Sequence, residues 1–237
     1  MLSSRKSLQS AGIQWEYSEK MAVKQEIRKK SVERITRAHV DKFAERRAEL
    51  GEAALQTLAT LGYARTSLRE IAQNSEFSHG VLHYYFSDKV DLITCSVRQY
   101  KARCVTRYDQ VITVSGSYGS LITGFLDALG QTLSDEAHMH RLWYDIRAQA
   151  LFEESFRDDV AEIDQSLENM IWRIMSRLAE LAGKPLNLPP SVMYASFDGM
   201  FQHCLLRHLS GDAAAIADMQ ADGRKLIVQL LGEPLAS

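Results

Sequence analysis

Histidine and cysteine are the residues here best suited to metal or nucleophile chemistry, and their spacing argues against both. His138 and His140 are two apart and fall on different faces of a helix. His203 and His208 are five apart, roughly 140° around a helix of 3.6 residues per turn, so they cannot clamp one zinc ion. Cys95, Cys104 and Cys204 are too few and too scattered for a zinc set or a disulfide framework, which predicts free thiols in a reducing cytoplasm. There is no His-Glu-x-x-His, no nucleophile elbow and no phosphate-binding glycine loop. Asp158 and Asp159 adjoin but point in different directions, as at a solvated helix start. The sequence predicts no enzyme, no metal and no cofactor.

A second kind of chemistry is better represented. The run Ser78-His-Gly-Val-Leu-His-Tyr-Tyr-Phe86 places Leu82 and Phe86 four apart, where both can pack inward. His79, His83 and Tyr84 are left to face outward. Their side chains can hydrogen-bond phosphates or base edges, and their rings can touch a thymine methyl. Gly80 carries no side chain and lets the backbone come close to a surface. Lys89, just beyond, is within reach of a phosphate. The competing reading is that the aromatic side chains pack a small core, which suits Tyr85 best.

The elements that must hold these residues follow from capping and periodicity. Leu50, Ala54, Leu58 and Leu61 mark one face of a helix over about 44–61, which Gly62 can end. Ser67 and Glu70 have capping-box spacing and start a short helix over about 67–74. A tight turn follows, and Ser78 caps the aromatic helix, about 78–86. Two short helices joined by about three residues make a helix-turn-helix, whose second helix enters the major groove. Asp88 caps a fourth helix, about 88–112.

The stretch Thr66–Ile93, TSLREIAQNSEFSHGVLHYYFSDKVDLI, resembles the DNA-binding signature of the tetracycline-repressor (TetR) family. The resemblance covers about residues 44–95 closely; the later helices match in number and order. It implies phosphate contacts from Thr66, Ser67, Tyr84, Tyr85 and Lys89. Arg69, His79, Gly80, Val81 and His83 sit where the family touches bases, and Ser78 completes the candidate DNA-binding set. Glu76 stands where the family usually has glycine, Phe77 where it usually has valine, and His79 where lysine is common. These departures leave the operator sequence open.

The rear of the chain reads as further helices over about 118–133, 135–152, 154–182, 191–209 and 213–231, giving about nine in all. Val160, Ile163, Leu167, Ile171, Ile174, Leu178 and Leu181 form one apolar seam. Trp143, Tyr144, Phe152 and Phe156, then Met170, Trp172 and Met175, then Met193, Phe197, Met200 and Phe201, are aromatic and methionine material for a ligand pocket. The same side chains would also serve a plain helical core. His140, Arg147, Gln202 and His203 could supply polar groups. The candidate ligand-binding set is His140, Trp143, Tyr144, Arg147, Met170, Phe197, Phe201 and Gln202. The WYDIRAQAL segment faintly resembles the sensor half of choline-responsive betaine regulators, which would put a cation against Trp143 and Tyr144. The last two helices are apolar on more than one face and would form a four-helix bundle with a twin, Leu205 and Leu230 among the interface residues.

Charge divides along the chain. Residues 1–100 hold 16 Lys+Arg against 12 Asp+Glu, net +4, while 101–237 hold 12 against 18, net -6. A basic front half suits an anionic partner. Residues 1–41 are charged and read as a basic extension, helical or mobile. No apolar run is long enough to span a bilayer, and no export signal is legible. The sequence thus predicts an all-α protein in three parts: an extension (1–41), a helix-turn-helix head (42–95) and a ligand-binding, dimerising body (96–237). The expected function is a cytoplasmic, ligand-responsive regulator, by family default a repressor, binding a palindromic DNA operator as a homodimer with a small-molecule effector. The alternative is an architectural DNA-binding protein or helical adaptor without a ligand.

Overall fold

The computed structural model describes residues 40–231. The expectation for the 1–41 extension lies almost wholly outside them. Contacts divide the chain at Arg47, and residues 40–47 are helical. The unit from Ala48 onward holds eight α-helices and a single isolated bridge, Leu186–Leu231, with no named strand among the described residues.

Helix α1 covers 48–61 of this unit and buries Leu50, Ala54, Leu55, Leu58 and Ala59. Gly62 follows at φ 75°, and its amide donates to the Leu58 carbonyl at 2.8 Å. Only glycine takes that left-handed conformation without strain. Helices α2 (Leu68–Gln73) and α3 (His79–Tyr85) are short, and each has a serine cap. The Glu70 amide donates to Ser67 Oγ, and the Val81 amide to Ser78 Oγ. Helix α4 (Lys89–Val114) begins at Asp88, whose carboxylate accepts from the Asp91 amide at 2.9 Å.

Helix α5 (Tyr118–Gln149) differs from expectation. The sequence suggests two helices parted near residue 134; the chain instead runs on through a kink at Glu136, φ -126° and ψ 24°. No proline or glycine stands there to end the helix. A 3-10 turn (Glu154–Phe156) leads into α6 (Arg157–Ala182), closed by Gly183 at φ 62°. The α6 seam is buried as predicted from Val160 to Leu178, with Leu181 half-buried. Pro190 starts α7 (Pro190–Leu209), where its missing N–H costs nothing. Helix α8 is Ala215–Leu230.

Neighbouring helix pairs are α4 with α6, α5 with α8, α6 with α7, and α7 with α8. The α5–α8 approach uses Gly130 and Gly223: a Cβ at Gly130 would lie 2.9 Å from Gln220, and one at Gly223 2.6 Å from Leu126. One apolar cluster runs from Leu50 to Leu231, through head and body alike. Helix α4 crosses the expected 95/96 boundary without a break. Leu205 and Leu230, expected at an interface, are both buried within the chain. Their neighbours Leu206, Leu209 and Val228 are the exposed ones, with Leu206 at 62%. On a helix a step of one residue turns about 100°, which is why Leu206 faces outward where Leu205 faces inward.

Candidate nucleic-acid interface and effector cavity

In the head, α3 turns Leu82 and Phe86 inward, both about 1% exposed. His79, Gly80, His83 and Tyr84 face solvent, with Tyr84 at 68%. The two histidines, four apart, bring their Nε2 atoms within 3.1 Å. Tyr84 and Tyr85 stack edge to face at 4.9 Å. Val81 and Tyr85 are half-buried against the core. Ser67, Arg69 and Ser78 are exposed beside α3, with both serine hydroxyls engaged in capping.

Two expected phosphate contacts are placed differently. Thr66 is 3% exposed, and its hydroxyl donates to the Gly62 carbonyl at 2.7 Å. It fixes the turn after α1 and offers no side chain to an external anion. Lys89 folds back: its Nζ donates to the Tyr63 carbonyl at 3.2 Å and lies 3.9 Å above the Tyr63 ring.

Tyr63 joins the head to the body. Its amide donates to Asp145 Oδ2 at 2.8 Å, and its hydroxyl donates to the Glu153 carboxylate. Its ring meets Phe156 edge-on at 5.1 Å. Burial and then Glu153 push the hydroxyl up to about 12, so it remains a donor at neutral pH. Arg141 donates to the Ala59 carbonyl at 2.6 Å. The turn between α1 and α2 is therefore seated on α5, through Arg141 and Asp145, and on the segment after it.

The other side of α5 lines a cavity of about 70 Å³. Six of the eight predicted ligand residues line it: His140, Trp143, Tyr144, Met170, Phe197 and Phe201. Two do not. Gln202 is exposed on α7, as is His203. Arg147 is tied into ion pairs with Asp198 and Asp164 and is absent from the wall. Phe152 is also exposed, while Phe156 serves the Tyr63 contact. Sequence reasoning missed the α4 wall, Lys101, Cys104 and Tyr108, together with Tyr194 and Asp198. Lys101, Cys104 and Tyr108 step by three and four, a signal that was legible but masked by the surrounding charge.

Lys101 is the unusual group, at 5% exposure. Its Nζ approaches His140 Nδ1 at 3.2 Å and lies 5.1 Å from the Trp143 ring centre. Burial pulls its ammonium down to about 8. A chain of bonds leads away from it. Tyr100 donates to Glu136 at 2.7 Å, so its oxygen accepts from His140 Nε2 at 3.0 Å, leaving Nδ1 to accept from Lys101. Burial, with Lys101 next, lowers His140 well below its ordinary value and keeps it neutral. Burial alone would raise the Glu136 carboxyl, but hydrogen bonds from Arg107 and Tyr100 bring it below its usual range. Cys104, Glu136 and His140 place possible metal-ligand atoms within 4.8 Å of one another. Lys101 and Arg107 already supply positive charge at the two ends of this chain, so it reads as a hydrogen-bonded network.

On the opposite wall Asp198 accepts from Tyr144 at 2.9 Å and pairs with Arg147, while Asp164 accepts from Tyr194 at 2.5 Å and pairs with Arg147 at 3.2 Å. Trp143 is 1% exposed, and its indole N–H has no acceptor among the described residues.

A short capped helix with an outward polar-aromatic face, braced by a second short helix, defines a helix-turn-helix protein, with a buried cavity in the body beyond it. The family match agrees. Residues 50–94 match the model described as bacterial regulatory proteins, tetR family. The HTH-type transcriptional regulator BetI of Paraburkholderia xenovorans is 40% identical over 53 residues, 22% of this chain and 27% of that protein. The chain thus matches about a quarter of that relative's length. A putative TetR-family regulator from Rhodococcus sp. shares the fold at TM-score 0.64 and 19% identity, over 78% of this chain and 98% of that one. A putative regulator from Saccharomonospora viridis in complex with choline does so at 0.65 and 15%, over 80% and 98%. The regulator FadR from Bacillus subtilis in complex with stearoyl-CoA does so at 0.61 and 15%, over 76% and 96%. Among the described residues no helix is long and apolar enough to cross a membrane.

Proposed function

We propose that this chain is a ligand-responsive transcriptional repressor that binds a palindromic operator as a homodimer and leaves it when a small molecule enters the body. The observation that carries the reading is helix α3, which presents His79, Gly80, His83 and Tyr84 on an exposed face while Leu82 and Phe86 anchor it. Such a face, with Arg69 beside it, reads base edges, and the helix starts at Ser67 and Ser78 can meet the backbone. The exposed apolar residues of α7 and α8, Leu206, Leu209 and Val228, support pairing with a second copy. Half-sites one turn apart require recognition helices about 34–36 Å apart, and a ligand that favours another spacing releases the DNA. Helix α5 supports such coupling because it touches both the cavity and the head turn. The choline and stearoyl-CoA complexes of the structural relatives are consistent with an effector site in this fold.

The experiment is selection of random duplex DNA on the purified protein, followed by sedimentation of the complex. The expected result is one short palindrome bound by two chains, with affinity falling steeply as salt rises. Retention of all sequences alike would instead favour an architectural DNA-binding protein.

A further inference from the structure

We infer that the effector is a small monocarboxylate with an apolar or aromatic body, its carboxylate held between Lys101 Nζ and the indole N–H of Trp143. The inference rests on the regulator reading only for the word effector; the binding site stands on its own geometry.

Lys101 and Trp143 both line the cavity, and both are buried donors short of acceptors. An ammonium has three N–H donors. The only acceptor given to Lys101 among the described residues is His140 Nδ1. Among the described residues no carboxylate forms an ion pair with it; Asp164 and Asp198 lie near enough to act on its charge but are bonded by Arg147 and by Tyr194 and Tyr144. A buried lysine without an anion is costly, and so is a buried N–H without an acceptor. One carboxylate, with two oxygens and no donor, answers both. The rest of the wall fixes the body of the ligand. Leu129, Met170, Phe197 and Phe201 offer apolar contact and no free charge. The cavity, about 70 Å³, is roughly half the ~150 Å³ void that takes a benzene ring. A short acid is therefore favoured, and its entry must push side chains aside.

The same geometry disfavours a cation against Trp143 and Tyr144. Lys101 already lies 5.1 Å from the Trp143 ring centre, and the Tyr144 hydroxyl is spent on Asp198. Charge at the site follows from the groups packed around Lys101: Tyr100 and Cys104 on α4, His140, Tyr144 and Arg147 on α5, Asp164 on α6, Tyr194 and Asp198 on α7. Burial raises the tyrosines and the thiol and lowers His140. Burial brings the Lys101 ammonium down to about 8, so its charge is lost just above neutral pH.

The test is calorimetric titration of the full chain with phenylacetate, hexanoate, neutral phenylacetamide and cationic choline. Phenylacetate should bind about 10–100-fold more tightly than phenylacetamide, the worth of a charge-assisted pair. Its affinity should be level below pH 8 and fall about tenfold per pH unit above it. Lys101→Met should remove the preference for acid over amide, and the amide's affinity in that variant controls for folding. Trp143→Phe, which keeps the ring, should weaken the acid several-fold. The inference is overturned if choline or the amide binds as tightly as the acids, or if Lys101→Met leaves acid affinity unchanged. It is also overturned if neither acid gives a heat of binding at ~1 mM, where even about -4 kcal/mol is detected. Calorimetry needs no DNA. A chain that binds phenylacetate but selects no operator would refute the regulator reading and leave this site standing.

Discussion

Replacing Lys101 by methionine should make the protein more stable at pH 7, although the side chain is buried and hydrogen-bonded. Burial lowers its ammonium from 10.5 to about 8. At about 1.4 kcal/mol per pH unit, holding the charge inside costs about 3 kcal/mol below pH 8. The sign follows from proton counting. Between pH 8 and 10.5 the unfolded chain keeps this proton and the folded chain has lost it, so wild-type stability rises with pH across that window. Below pH 8 both states hold the proton and the cost is constant; above 10.5 neither does, and the cost is gone. Methionine fills similar space without charge but leaves His140 Nδ1 without a donor, a loss of about 1 kcal/mol. The net gain of about 2 kcal/mol corresponds to a rise in Tm of roughly 4–8 °C for a domain of this size. The assay is a melt of both proteins from pH 6 to pH 11. Tyr100, Tyr144 and Tyr194, all raised by burial, destabilise both proteins alike above pH 10 and cancel in the difference. The difference should be level below pH 8, cross zero near pH 10, and leave the variant about 1 kcal/mol less stable above pH 10.5, where the charge cost is gone and the lost hydrogen bond to His140 remains. A lower Tm for the variant at pH 7 would refute the reasoning, because it would mean that the buried charge is already compensated.

Three further outcomes are expected. Tyr63→Phe removes the hydroxyl that donates to Glu153 and should cost about 1 kcal/mol in a melt. It should also reduce the ratio of operator affinities without and with effector, since a coupling of about 1–3 kcal/mol must pass this junction; an unchanged ratio would move the path elsewhere. Leu206→Glu should yield monomers in sedimentation with a nearly unchanged monomer fold, while Leu205→Glu, on a residue 3% exposed, should unfold the body; a dimeric Leu206→Glu protein would place the interface elsewhere. His83→Ala should relax base preference at one operator position, whereas Tyr84→Phe, on a residue expected at a phosphate, should weaken all sequences alike; the reverse pattern would exchange their roles.

The legible part of this molecule was the part written in local rules. Ser67, Ser78 and Asp88 cap the helices they were expected to cap, and Gly62 ends α1, because each signal acts within three or four residues. The α6 seam was clear because nothing interrupts its period. The pattern divides two helices at residue 134, two positions from the kink, where the chain keeps one helix: Tyr100 and Arg107 bond Glu136 from another helix, and no local pattern shows that. Arg147 and Gln202 were assigned to the pocket by residue type. Arg147 is claimed by two carboxylates distant in sequence, and Gln202 lies on the outer face of α7, one position past Phe201. Lys101 was missed for the converse reason, since a lysine in a charged helix is ordinarily solvated.

Helix α5 carries two messages on one rod. His140, Trp143 and Tyr144 point to the cavity, while Arg141 and Asp145, one turn apart, hold the head turn. Residues at those offsets occupy different sides of the same cylinder, so either set can vary without displacing the other. If the body senses a ligand as proposed, substitution at 140, 143 or 144 changes which molecule is sensed while the grip on the head is inherited intact. A lineage of such proteins could diversify its chemical vocabulary without renegotiating how the signal is delivered.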